Sequence, residues 1–178
     1  LNGNDIQNNY YQHIYRDEHS SSSDFYENLK VVYNKRIALD TFEMKLETTL
    51  MTQNAKPGMF INLSLNDASK LLKRPISICQ IDGNNLIITY KINGEGTKLL
   101  STYQSGTLLE AIGPLGNGFT LIENKKALVV GGGIGVPPLL ELSRKLKDLG
   151  NKSFFVNTTI TFLKSFTKSR LMFNNEVR

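Results

Sequence analysis

From residue 29 the chain alternates between short apolar stretches and turn-forming pairs. "LKVVYN" is strand-like, and "DTFEMKLET" sets Phe42, Met44 and Leu46 on one face at a period of two. "KPGMFINLSL", "RPISICQI", "NLIITYKI" and "TLLEAIGPLG" follow, parted by pairs such as Asp82-Gly83. Short strands this closely spaced predict an antiparallel barrel or sandwich. One short helix interrupts them, with Thr97 as its cap, "KLLSTYQ" as its body and Gly106 as its end.

The period changes near Lys126. "ALVV" (127–130) is a continuous apolar run, as in a strand of a buried parallel sheet. A glycine-rich turn follows within "VVGGGIGVPP" (129–138). "PPLLELSRKLKDLG" then spaces Leu139, Leu142, Leu146 and Leu149 for a helix, with Pro138 in its first turn and Gly150 just past its end. This is the strand-turn-helix opening of a nucleotide-binding α/β domain, with a boundary near residue 124. Residues 1–28 hold no sustained period and read as a flexible extension, with an interaction arm as the alternative. Residues 153–178 form a divergent basic tail. Within it "SFFVNTTITF" suits a strand and "FLKSFTKSRLMF" a basic amphipathic helix, against the plainer alternative of an irregular end.

Charge sharpens this division. The net charge is +5, and residues 151–178 hold five basic side chains against Glu176 alone. The body is nearly balanced, so no basic face for nucleic acid is expected. No apolar run approaches the ~20 residues of a membrane span, and the first residues lack the apolar core of a secretory signal. A cytoplasmic protein without a membrane partner is expected. The single cysteine, Cys79, excludes an internal disulfide and a four-cysteine metal site within the chain. His13 and His19 read as solvated loop residues.

Four stretches carry candidate chemistry. In "RPIS" (74–77), the Arg74 guanidinium matches a phosphate, Pro75 stiffens the backbone, and Ser77 alternates with Ile76 and Ile78. In "YKINGEGTKLLS" (90–101), the glycines and Thr97 open a helix as a second phosphate nest, and Tyr90 suits either a flat ring or the barrel wall. "GPLGNGF" (113–119) is a rigid connection or a plain linker. The turn after Val130 lets backbone approach a diphosphate, with tight packing as the alternative. It departs from the usual G-x-G-x-x-G spacing. Counted from Gly131 the third position is Val136, and from Gly133 it is Pro138.

In this order the motifs resemble the ferredoxin-reductase-like flavoproteins. More closely, "LKVVYNKRIALDTFEMKLE", "AKPGMFINL", "RPISI", "GEGTKLLS" and "GGGIGVPPLLELSRKL" resemble the electron transfer subunits of the two-subunit, NAD-dependent dihydroorotate dehydrogenases, over about residues 29–152. The resemblance implies an antiparallel FAD-binding β-barrel over 29–123 and the start of an NAD-binding α/β domain over 124–152. It implies FAD contacts at Arg74, Pro75, Ile76, Ser77, Thr89, Tyr90, Lys91, Gly96 and Thr97. It implies NAD contacts at Gly131, Gly132, Gly133, Ile134, Gly135 and Pro137. No catalytic acid or base is implied. The implied partner is an FMN-containing catalytic dihydroorotate dehydrogenase subunit in a heterotetramer. Electrons then pass through a [2Fe–2S] cluster to FAD and NAD⁺ in pyrimidine (UMP) synthesis. The chain departs from that pattern in two ways. The cluster cysteines are absent, and after Asp148 the next acid is Glu176, so no acid meets a ribose at the usual spacing. A gene product truncated or frame-shifted near residue 152 is the expectation, with a fragment boundary or a divergent tail as alternatives. Two other functions stay open: another reductase subunit of the same superfamily, and a non-catalytic FAD-binding remnant.

Overall fold

The structure, a computed structural model, describes residues 25–67, 69 and 72–157. The expectations for 1–24 and 158–178, including His13 and His19, lie outside those residues.

Six strands close an antiparallel barrel: β1 (Phe25–Ala38), β2 (Thr41–Glu47), β3 (Phe60–Leu63), β4 (Arg74–Asp82), β5 (Asn85–Lys91) and β6 (Leu108–Leu115), in the spatial order β1-β2-β5-β4-β3-β6. Closure depends on the length of β1. Its first half, Phe25 to Lys30, pairs with β6, and its second half, to Ala38, pairs with β2. Irregularities at Val31/Tyr33 and Arg36/Ala38 bend the strand between these duties. The expected extension over 1–28 is therefore corrected at its end, because Phe25 to Asn28 are paired strand. Its polar pattern hid a strand whose partner lies more than eighty residues away.

The period of two fills the interior. Met44 and Leu46 of β2 are fully buried, Phe42 packs against them, and Ile76 and Ile78 of β4 meet Leu86 and Ile88 of β5. Tight hairpins keep that register. Asp40, at φ +53°, turns β1 into β2, and Gly83, at φ +57°, turns β4 into β5.

The short helix α1 spans Glu95–Leu100, capped by Gly94. Thr97 is thus inside the helix rather than its cap, and the body ends before Ser101. The cause is local: Thr97 Oγ1 accepts from the Asn93 N–H at 2.9 Å and donates to the Gly94 carbonyl at 3.2 Å, so the hydroxyl closes the turn from within.

After the barrel, β7 (Lys126–Gly131) pairs in parallel with β8 (Lys152–Asn157), and helix α2 (Pro138–Asp148) connects them. Gly150 follows α2 at φ +72°, the left-handed end that glycine favours. The tail expected from 153 therefore starts as strand. α2 covers one face of this pair, where Val129 meets Leu142 and Leu146. Leu128, Val130, Phe154 and Val156 are exposed on the other, so "ALVV" is buried on one face only among the described residues.

Candidate functional site

Two of the motifs meet at the mouth of β4. The Arg74 guanidinium lies directly over Gly96 in α1. A Cβ on Gly96 would stand 2.2 Å from Arg74 Nε and 2.4 Å from Nη2. Only glycine leaves that space. The other guanidinium nitrogen, Nη1, donates to the Leu72 carbonyl at 2.9 Å, which holds the fork in place. Gly96 and Thr97 are the second and third helical residues, whose N–H groups have no intrahelical acceptor. A guanidinium and unpaired amides on one small surface suit a diphosphate.

β4 and β5 carry the next group. Pro75 is exposed and Ser77 half-buried, while Ile76 and Ile78 point into the barrel. On β5, Leu86, Ile88 and Tyr90 share the interior. The Tyr90 ring is 2% exposed, lies parallel to Phe42 with centroids 5.8 Å apart, and donates its hydroxyl to Asn34 Oδ1 at 2.9 Å. Burial raises its pKa well above the usual tyrosine range. Of its two sequence roles, Tyr90 has the wall role: its ring is committed to the core. Thr89 faces the opposite way beside Glu43, and Lys91 is exposed at the strand end. Thr89 Oγ1 is buried without a hydrogen-bond partner, which leaves a hydroxyl for a ligand.

The glycine turn forms the third part. β7 ends at Gly131, residues Gly133–Gly135 make one 3₁₀ turn, and Pro137 leads into α2. Gly133 adopts φ +54° with open space about its Cα, Gly132, Ile134 and Gly135 are exposed, and Pro137 is buried. Gly131 is different, since a Cβ there would meet Leu139 Cδ1 at 2.8 Å. Its role is close strand–helix packing, whereas Gly132 to Gly135 offer backbone to solvent. The 3₁₀ turn comes up against β5.

Asn34 is a supporting residue that no sequence motif marks. Its Nδ2 donates to the carbonyls of Leu100 and Tyr103, at 3.0 and 3.1 Å, while its Oδ1 accepts from Tyr90. One amide thereby ties the end of α1 to β1 and β5. An asparagine inside a strand-like run was the available signal. Cys79 is buried outside the barrel core cluster, at an irregular step of β4. Among the described residues no group of three or more His, Cys, Asp or Glu gathers as a metal site, and no helix is long and apolar enough to cross a membrane.

No protein-family model matches the chain. The "dihydroorotate dehydrogenase B (NAD(+)), electron transfer subunit" of Bacillus cereus (strain B4264) is 44% identical over 130 residues, 70% of this chain and 50% of that protein. The chain is a homologue of these electron transfer subunits. It spans about half the length of the curated relatives it matches. Among solved structures, an NADH-dependent reduced ferredoxin–NADP oxidoreductase studied for flavin-based electron bifurcation superposes with a TM-score of 0.69 at 26% identity, over 77% of this chain and 51% of that one. A ferredoxin–NADP⁺ reductase from Neisseria gonorrhoeae with bound FAD and NADP superposes with a TM-score of 0.66 at 14% identity, over 80% and 62%, and supports the fold alone. The closed six-stranded barrel is thus of the ferredoxin-reductase type.

Proposed function

We propose that this chain is the FAD-binding part of a dihydroorotate dehydrogenase electron transfer subunit, passing electrons between FAD and NAD⁺. The carrying observation is the Arg74 guanidinium seated on Gly96, which joins two motifs distant in sequence into one patch. The residues fit the cofactor on one further count, since the buried Thr89 Oγ1 lacks a partner.

In this reading Arg74 binds the FAD diphosphate, helped by the Gly96 and Thr97 amides. Pro75 and Ser77 line the flavin side, while the Ile76 side chain is committed to the barrel core and can offer only backbone. Thr89 offers its hydroxyl, Tyr90 its backbone and Lys91 a charge at the rim. The Gly132–Gly135 backbone, against β5, receives the NAD diphosphate, while Gly131 serves the strand–helix packing and Pro137 is buried. FAD, when bound, supplies the two-electron carrier chemistry; the protein supplies position and electrostatics. A [2Fe–2S] cluster does not fit the residues present, because the chain holds one cysteine and it is buried. No step is assigned to it. The partner in this reading is the FMN-containing catalytic subunit of the heterotetramer, acting in the cytoplasm in pyrimidine synthesis.

The purified chain should carry oxidised-flavin absorbance, lose it on Arg74→Ala, and co-purify with an FMN-containing partner when the two are expressed together. A chain that stays colourless with excess FAD overturns the proposal. FAD uptake without the FMN partner would favour another reductase of the superfamily.

A further inference from the structure

Helix α2 grips the barrel at a point that the proposed electron path leaves unused. β3 pairs with β4 only from Arg74 to Ser77, and Met59 accepts the Ile78 N–H just beyond. Past that point β4 keeps β5 on one side, and no strand pairs its other edge among the described residues. Ile81 turns both backbone groups to this open edge. Its N–H donates to Glu141 Oε2 at 3.4 Å, and its carbonyl accepts from Arg144 Nη2 at 3.3 Å. The same guanidinium nitrogen donates to Glu141 Oε1 at 3.3 Å, which closes a three-cornered contact.

The spacing suits this use, since residues three apart share a helix face. Glu141 is 1% exposed and Arg144 is half-exposed, so a carboxylate has been taken out of water to meet one strand amide. Such burial is tolerated only with a partner charge and donors, which Arg144 and Ile81 supply.

We propose that Glu141 and Arg144 are positioning residues, a clamp on Ile81 that holds the glycine turn in place over the barrel. β4 begins at Arg74, seven residues or roughly 23 Å before Ile81. α2 begins directly after the turn. The clamp therefore ties the strand bearing the phosphate-side arginine to the helix bearing the nucleotide-side turn. Its consequence for electron transfer rests on the FAD and NAD assignment above; the contact itself does not.

Hydrogen exchange at the Ile81 amide of the full chain tests the clamp without any cofactor. Arg144→Ala and Glu141→Ala should each speed that exchange on the order of tenfold or more, while the Ile88 amide in the barrel stays unchanged. The double variant should be no faster than the faster single one, because the two side chains act as one contact. If Glu141→Ala does not fold, Arg144→Ala and Glu141→Gln carry the test. In FAD-loaded chain the variants should keep full flavin content and the same half-saturating NADH. The limiting rate of flavin bleaching should fall on the order of tenfold, as for a misplaced donor. Unchanged Ile81 exchange in the folded variants overturns the clamp. Faster exchange with an unchanged limiting rate overturns its positioning role. A wild-type chain that takes up no FAD sinks the cofactor assignment instead, and the exchange measurement still decides the clamp.

Discussion

Adding one methyl group at Gly96 should separate cofactor binding from folding. In Gly96→Ala the new Cβ would fall 2.2 Å from Arg74 Nε, 2.4 Å from Nη2 and 2.6 Å from Cζ. No such contact is tolerated, so something must move. The clashing atoms are the end of a flexible side chain, and the guanidinium swings off the helix. The backbone has no reason to resist, and alanine in a helix is up to ~1 kcal/mol better than glycine. Stability should therefore hold or rise slightly. Affinity for FAD should fall, because the displaced fork no longer meets the diphosphate. Hydrogen bonds to a charged group contribute ~1.5–3 kcal/mol, or a roughly 10- to 150-fold weaker Kd. Flavin fluorescence titration measures the affinity, and a urea melt of the apo chain measures the fold. Arg74→Ala should give a similar loss, and the double variant little more than either single one. A Gly96→Ala chain that binds FAD like wild type refutes the reasoning. So does one that loses more than ~1 kcal/mol of stability, since Gly96 would then serve the backbone and not the arginine.

Three other substitutions test the supports of the site. Asn34→Ala leaves the Leu100 and Tyr103 carbonyls and the Tyr90 hydroxyl without their partner, so stability should fall by about 2–3 kcal/mol in a urea melt and α1 should loosen by hydrogen exchange. Tyr90→Phe should cost ~1 kcal/mol at pH 8 through the lost hydrogen bond. The folded chain holds the Tyr90 proton more tightly than the unfolded one, so its contribution is complete below the ordinary tyrosine pKa of about 10 and is lost as pH rises beyond it. The stability gap between wild type and Tyr90→Phe should therefore narrow above pH ~10 in urea melts, and a constant gap would count against the buried phenol. Asn151 is buried and donates to the Ile122 and Leu146 carbonyls at 2.6 and 2.8 Å while accepting from the Lys125 N–H at 2.8 Å. Asn151→Ala should speed amide exchange in β7 and α2 while Ile88 in the barrel stays protected.

The barrel was legible because its strands obey one rule. Phe42, Met44 and Leu46 alternate cleanly, and the turn residues between strands are glycine, aspartate and asparagine. The end of β1 was not, because Phe25 to Asn28 are held by β6, and no local pattern records so distant a partner. The start of α1 was missed for a different reason. Gly94 and Gly96 are poor helix formers, and Thr97 closes the turn from inside, so the local cue pointed three residues too late. Tyr90 was legible as a strand residue, but which way its ring faces follows from the barrel as a whole. The meeting of Arg74 with Gly96, twenty-two positions apart, is likewise a tertiary fact, although each motif was visible alone. Glu141 reads in sequence as an ordinary charged helix residue; only the open edge of β4 gives it something to hold.

The FAD site proposed on the barrel reads a diphosphate. Its most direct measurement is calorimetric titration of the apo chain with FAD and, separately, with FMN, which keeps the flavin and one phosphate but lacks the second phosphate and the adenosine. FAD should bind as a single molecule per chain, FMN much more weakly, and Arg74→Ala should narrow the difference between them. Equal binding of the two flavins in wild type, or no binding of FAD at all, would contradict it.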